Sequence, residues 1–306
     1  MKILITGGAG FIASHIADAC IAEGHEIFII DDLSTGVSSN IPSKANFFNL
    51  NINSSEVNYI FEAEQFDVVI HHAAQINVRT SVSAPLIDAA INIFGGINIY
   101  EAARKYGVKK IIFSSTGGAI YGDNVIHPTP ENSELEPCSP YGIAKLANEK
   151  YLRFYKDTYG VDFVCLRYAN VYGPRQNPKG EAGVVSVFIN KMLNDEQPII
   201  NGTGEYIRDY VNVRDVVKAN LFALRKEVSG IYNVGTEVKT TTNQIFTMLN
   251  SIIGKNVKEV HGPAMPGEQL VSCISHQKFL KEHGWKPDVK LIDGLKETVD
   301  YFKNAQ

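Results

Sequence analysis

A doubly wound, Rossmann-type α/β fold with a parallel sheet and a smaller C-terminal α/β lobe is what this 306-residue sequence predicts. Three observations predict it. The opening stretch from Met1 to Asp32 reads strand, glycine turn, helix, strand, acid. Strand-like runs, apolar almost without a break, then alternate with helical patterns as far as Tyr168, which suits a parallel sheet covered on both faces. After Gly173 the texture loosens, with Gly and Pro recurring from Pro174 to Gly267. The expected division is 1–172 for the sheet domain, with 211–235 returning to it, and 173–306 for a substrate-binding lobe over the carboxyl ends of the strands, where open α/β sheets place ligands.

Each element has a local reason. Lys2 to Thr6 is a short apolar, β-branched run broken by Gly7 and Gly8. Phe11, Ile12, Ile16, Ala19, Cys20 and Ile21 then recur at helical spacing up to Gly24, and Glu26 to Ile30 is a second strand that stops at Asp31 and Asp32. In such a unit Gly8 is expected to turn with positive φ, Gly10 to let backbone N–H groups approach a pyrophosphate, and small Ala13 to let helix and strand pack closely. Asp31 follows Gly10 by 21 residues, placed to accept hydrogen bonds from an adenosine ribose and to repel a 2′-phosphate, so the dinucleotide expected is NAD rather than NADP. Further strands are read at Phe47–Ile52, Asp67–His72, Lys109–Ser115 and Asp162–Tyr168. Helices are read at Leu86–Tyr106, closed by Gly107, and Tyr141–Thr158, closed by Gly160. Later ones are read at Val184–Asn194, Val213–Arg225, Thr242–Ile253 and Gly294–Phe302.

Composition excludes several classes. With 44% hydrophobic and 20% charged residues the chain can bury a full α/β core, and a net charge of -4 gives no reason to expect nucleic acid or an anionic membrane. No apolar run reaches the ~18 residues that span a bilayer, and the first strand begins at Lys2 without room for a signal peptide, so the expected compartment is the cytoplasm. Cys20, Cys138, Cys165 and Cys273 are scattered without a CxxC pair and read as reduced thiols. His71 and His72 end a strand with no second ligand at metal spacing, so no metal site is expected.

The chemistry-bearing residues follow the fifth and sixth strands. Ser114-Ser115-Thr116 ends a strand, and Tyr141 and Lys145 open a helix behind Ser139-Pro140. Positions i and i+4 share a helix face, so a phenol and an ammonium can address one cofactor ring. A free tyrosine ionises near pH ~10, and using it as a base near neutrality requires roughly 4 kcal/mol of stabilisation, part of which a lysine ammonium supplies. The same spacing recurs at Tyr106 and Lys110, where Gly107 breaks the helix and no catalysis is implied.

The motifs TGGAGFIAS, DDLSTG, HHAAQ, FSSTGGAIYGD, SPYGIAK, RYANVYGPRQ and RDYVNVRDV, with a late GWKP, run in the order seen in the extended short-chain dehydrogenases/reductases. Within them the chain resembles the UDP-glucose (UDP-galactose) 4-epimerases over nearly its whole length. That resemblance implies NAD as cofactor, a UDP-sugar as substrate, a homodimer built on two helices, and Thr116, Tyr141 and Lys145 as the catalytic set. The implied cofactor residues are Gly7, Gly10, Phe11, Ile12, Asp31, Asp32, Leu33, Ser34, Thr35, Gly36, Asn51, Ile52, Ala73, Ala74, Gln75, Asn92, Ser114, Tyr141, Lys145 and Tyr168. Asn51 stands where the family usually has Asp. The implied substrate residues are Thr116, Asn170, Val184, Asn201, Arg208, Tyr210, Glu268 and Ser272.

By the same resemblance, Thr116 would hydrogen-bond the reacting oxygen while Tyr141 takes the sugar's 4-hydroxyl proton. Relatives that eliminate water follow the Ser/Thr with an acid pair. Here Gly117, Gly118 and Ala119 follow, which favours epimerisation. Ser272 occupies the position that gates 2-acetamido sugars, and its small size implies that they are accepted. Asn201 replaces an aromatic platform for uracil, and Met265 an arginine on the diphosphate. The readings left open are an enzyme of the same superfamily acting on another nucleotide sugar, a net NAD-dependent sugar dehydrogenase or reductase, and a non-catalytic NAD-sensing module.

Overall fold

The computed structural model describes residues 1–178, 183–264 and 269–304. In chain order the first elements are β1 (Lys2–Thr6), α1 (Phe11–Ala22), β2 (Glu26–Asp31), β3 (Asn46–Asn49), α2 (Val57–Glu64), β4 (Val68–His71), α3 (Val78–Ser83) and α4 (Pro85–Ala89). A π-helical turn over Ala90–Phe94 leads into α5 (Gly95–Lys105), followed by β5 (Lys110–Thr116), α6 (Pro140–Tyr159), β6 (Asp162–Tyr168), β7 (Asn170–Tyr172) and α7 (Val184–Leu193). The remainder is β8 (Ile200–Asn201), β9 (Ile207–Asn212), α8 (Val213–Ala223), β10 (Gly230–Val234), β11 (Lys239–Thr241), α9 (Thr242–Ile253), β12 (His261–Gly262), β13 (Val271–Ser272), α10 (Gln277–His283) and α11 (Leu291–Asn304).

The main sheet has seven strands in the order β10-β6-β5-β4-β1-β2-β3. Its registers β1–β2, β1–β4, β2–β3 and β4–β5 are parallel, and the order reverses between β1 and β4, the switch point at which such sheets bind ligands. The third strand is shorter than the Phe47–Ile52 expected, because Ile52 turns into the core beside α2 and α5. The single helix expected at Leu86–Tyr106 begins at Pro85 and is interrupted by the π turn. Strand β10 was not anticipated as such, since Gly230 begins it and the run is only five residues long.

Contacts divide the chain into two compact units. The first comprises Met1–Ile120, Pro137–Arg167 and Val217–Tyr232. Its core includes Leu4, Phe28, Val69, Tyr100, Phe113 and Leu152. Buried Lys110 lies on β5 and donates to the carbonyls of Ala223, Arg225 and Val228 at 3.3, 2.6 and 2.9 Å, capping the end of α8. The second unit comprises Tyr121–Glu136, Tyr168–Val216 and Asn233–Gln306, with a core of Tyr172, Phe188, Ile189, Tyr210, Phe246 and Leu295. Its sheet runs β11-β9-β13, with β7 also on β9. No helix among the described residues is long and apolar enough to cross a membrane.

Candidate active site

The dinucleotide cradle is built on β1 and α1. The positive φ expected at Gly8 falls at Gly7 instead (φ +71°), where a Cβ would lie 2.7 Å from the Ala73 backbone nitrogen. Gly8 is small for another reason: a Cβ there would meet the Ile29 side chain at 2.6 Å. Gly10 is the N-cap of α1, extended and with no side chain to satisfy the first amides, so the helix opens on N–H groups suited to an anion. These positions fit a pyrophosphate. Phe11 and Ile12 begin the helix, both half-buried.

Asp31 has a second task that spacing alone does not disclose. Its carboxylate accepts from Ala9 N at 3.0 Å and Leu33 N at 2.9 Å, fastening the glycine turn to the loop after β2. A Cβ on Gly36 would come within 2.8 Å of the same carboxylate, so the Leu33–Gly36 loop closes directly over it. Asp32 accepts from Ser34 N and, at 2.7 Å, from Asn51 Nδ2. Asn51 thus holds the acid loop with an amide donor, which Asp could not provide. Ile52 is buried in the core of this unit.

Beyond β4, Thr6 Oγ1 accepts from the backbone nitrogens of His72 (3.2 Å) and Ala73 (3.1 Å) and sits 2.7 Å from His71 Nδ1. Burial pushes both His71 and His72 down to about 3, with the Lys145 charge adding to the effect, so both are neutral. Gln75 and Asn92 close a ring: Gln75 N donates to Asn92 Oδ1, and Asn92 Nδ2 to Gln75 O, each at 2.9 Å. Both side-chain amides also donate to Asp88 Oδ1 at 2.9 Å. Asn148 Nδ2, on α6, takes the Asn92 carbonyl at 2.8 Å, and Gly96 leaves room for it because a Cβ there would strike Asn148 Oδ1.

The catalytic candidates lie on β5 and α6. Thr116 ends β5, buried, next to Ser114 and Ser115. Ser139 caps α6, accepting from Gly142 N at 3.2 Å, and Pro140 occupies the first turn, where its missing N–H costs nothing. Gly142 is required there because a Cβ would collide with the Ala119 carbonyl. Tyr141 and Lys145 therefore emerge on one face of a firmly started helix. Lys145 is buried, donates from Nζ to Ser114 O at 2.8 Å, and lies 5.8 Å from the Tyr141 ring centroid and 4.7 Å from that of Phe113. Burial lowers its ammonium to about 8, opposed chiefly by the negative charge of Asp88.

One turn beyond Lys145, Glu149 is 2% exposed. It accepts from Ser115 Oγ at 2.6 Å and from Arg167 on both oxygens, at 2.9 and 2.6 Å. This buried triad ties α6 to β5 beside Thr116 and to β6. A hydroxyl, a phenol and a buried ammonium at a strand end form a constellation for moving the proton of a substrate hydroxyl.

In the second unit, residues scattered in sequence become neighbours in register. Arg208 on β9 is paired with Ser272 on β13 and with Thr240 on β11, and Tyr210 is paired with Asn170 on β7. Positions two apart on a strand share a face, so Asn170, Arg208, Tyr210 and Ser272 lie on one side of this sheet. Val184, the first residue of α7, packs against the same core as Tyr210. Asn201 is exposed on the separate β8–β12 pair, and Tyr168 ends β6, buried. Glu268 and Met265 lie outside the described residues. Sequence reasoning missed Asp88, Asn148, Glu149 and Arg167. The available signals were the four-residue spacing of Asp88 from Asn92 and of Glu149 from Lys145.

The sequence model of the NAD dependent epimerase/dehydratase family matches residues 3–235. Among solved structures, the UDP-glucose 4-epimerase of Thermotoga maritima with UDP-glucose is 47% identical and superposes with a TM-score of 0.98, covering 100% of this chain and 99% of the other. The Thermus thermophilus UDP-glucose 4-epimerase in complex with NAD is 41% identical at a TM-score of 0.95, covering 100% of both chains. A UDP-N-acetylglucosamine 4-epimerase from Methanobrevibacter ruminantium, in complex with UDP-N-acetylmuramic acid, is 33% identical at 0.94, covering 100% of this chain and 99% of that one.

Proposed function

We infer the reaction from one premise: the chain belongs to the NAD dependent epimerase/dehydratase family. It is an NAD-dependent nucleotide-sugar 4-epimerase of the UDP-glucose/UDP-galactose type. The observations that support this reading are that Lys145 lies 5.8 Å from the Tyr141 ring and hydrogen-bonds Ser114, two residues before Thr116 on β5, and that the residues after Thr116 are Gly117, Gly118 and Ala119, none able to transfer a proton. The Gly7–Gly10 turn and the Asp31–Asn51 acid loop would hold NAD, which would supply the hydride acceptor and donor for C4 of the sugar.

The rest is done by the chain. Tyr141 takes the proton of the 4-hydroxyl, and Thr116 hydrogen-bonds the oxygen as it becomes a carbonyl. Lys145 keeps a positive charge beside Tyr141, which favours the phenolate. Asn170, Arg208 and Tyr210 grip the nucleotide and diphosphate, so that the sugar alone is free to turn over between the two hydride transfers. Binding energy from these remote contacts offsets the loose hold on the reacting ring.

Small Ser272 supports acceptance of 2-acetamido sugars, as does the likeness to the N-acetylglucosamine enzyme. A homodimer is supported by one apolar helical surface of the first unit, where Leu86, Ile87 and Phe94 on one helix run and Ile143, Tyr151 and Phe154 on α6 are all exposed. The compartment we assign is the cytoplasm, in keeping with four cysteines that form no disulfide among the described residues. Proton NMR of the purified protein with UDP-galactose and UDP-N-acetylgalactosamine, with no cofactor added, tests the reading. Conversion to the gluco epimers is expected. A reaction that proceeds only with stoichiometric added NAD would make the protein a net dehydrogenase.

A further inference from the structure

Lys145 and Asp88 are two buried ionisable groups in the same unit, 4% and 1% exposed. Burial raises the Asp88 carboxyl above its ordinary value, opposed by the hydrogen bonds of Gln75 and Asn92 and by the Lys145 charge, just as it lowers Lys145. Neither forms an ion pair within 4 Å among the described residues. The hydrogen bond of the Lys145 ammonium goes to a neutral carbonyl, and those of the Asp88 carboxylate come from the neutral amides of Gln75 and Asn92. A buried charge without a counter-charge is costly, and such groups shed their charge unless an opposite one stands close enough to hold it. Helices α4 and α6, which carry the two groups, pack together, and a hydrogen-bond chain joins them: Asp88 to Asn92, and Asn92 to Asn148 one turn along from Lys145.

We propose that Asp88 is a positioning residue of this site, its buried carboxylate serving as the counter-charge that keeps the Lys145 ammonium protonated while the reaction runs. The proposal deepens the reading above, since it rests on a charged Lys145 working beside Tyr141. The other groups facing Lys145 leave Asp88 in this role. His71 and His72 on β4 are neutral. Burial holds the Cys165 thiol on β6 well above its ordinary value, so it carries no charge. Glu149, on the same helix, is already neutralised by Arg167 at 2.6 Å. Tyr141 is the partner the charge acts on. The Gln75–Asn92 ring fixes the Asp88 oxygen and thereby fixes where the negative charge sits.

The test is Asp88→Asn, which keeps an acceptor for both amides and removes only the charge. In protein labelled with ¹³Cε-lysine, the Lys145 signal, identified by its absence from Lys145→Met, should titrate about one pH unit lower in the variant. The alkaline limb of turnover should fall with it. At pH 8 the protonated fraction drops from about one half to about one tenth, a roughly 5-fold loss, with KM unchanged and near-normal turnover at pH 6.5. A Lys145 midpoint that does not move in folded Asp88→Asn overturns the proposal. A midpoint that falls while the rate profile stays put supports the counter-charge and overturns instead the catalytic reading of Lys145. Should the variant fail to fold, ¹³Cγ-aspartate NMR of the wild-type protein decides: an ionised Asp88 carboxylate through pH 7 to 8 is expected, and a protonated one overturns the proposal.

Discussion

Arg167→Met removes one partner from the buried triad that fixes α6 to β5. In the wild-type protein the guanidinium meets both Glu149 oxygens, at 2.9 and 2.6 Å, with each partner's side chain 2% exposed. The variant leaves Glu149 with the Ser115 hydroxyl, a single neutral donor against a buried charge. Breaking a buried pair in this way costs about 3–5 kcal/mol. At roughly 2 °C per kcal/mol for a chain of this size, the midpoint of thermal unfolding should fall by about 6–10 °C. Replacing both charges, in Glu149→Met with Arg167→Met, removes the stranded anion and leaves the Ser115 hydroxyl without its acceptor, at about 1–3 kcal/mol. The double variant should therefore be more stable than the single one. Differential scanning calorimetry of the three proteins decides it. A single variant within about 1 kcal/mol of wild type, or a double variant less stable than the single, refutes the reasoning.

Other consequences are as direct. Tyr141→Phe should lower epimerase turnover by ~10²-fold or more with an unchanged unfolding midpoint, read by coupled assay and circular dichroism. His71 and His72 are held down to about 3 by burial, so the unfolded chain binds protons that the folded chain does not. Stability should thus be complete above about pH 6.5 and decline as pH falls toward 3, losing a few kcal/mol by pH 5 in urea titrations; a flat profile between pH 7 and 5 would contradict the assignment. Leu86→Glu combined with Phe154→Glu puts charge on the exposed apolar helical surface; if the proposed dimer forms there, the variant should sediment as a monomer where the wild type sediments as a dimer, with the fold retained.

The parts most legible in the sequence were those with short-range signatures. Strand, glycine turn, helix and acid stand within 32 residues, and Tyr141 and Lys145 are one helical turn apart. Even there, single-residue roles were blurred: Gly7 and Gly8 are adjacent and equally permissive, and only the contacts with Ala73 and Ile29 separate a positive-φ turn from a packing requirement. The π turn was invisible because Ala90–Phe94 carries no Gly or Pro to mark it; within it the Asn92 carbonyl accepts from Asn148, 56 residues away. The short strands of the second unit escaped for a related reason. Two or three residues carry no period, and Ser272 finds Arg208 only through register. Nothing in the sequence pairs Glu149 with Arg167, 18 residues apart on different elements; burial makes them partners.

The central claim, that hydride leaves and returns at C4 on a cofactor the protein retains, is tested most directly with UDP-galactose carrying deuterium at C4. The purified protein is incubated with it, no NAD is added, and the product is read by proton NMR. The account predicts UDP-glucose with deuterium still at C4 and none lost to water. Protons appearing at C4, or no conversion by a folded protein that carries NAD, would contradict it.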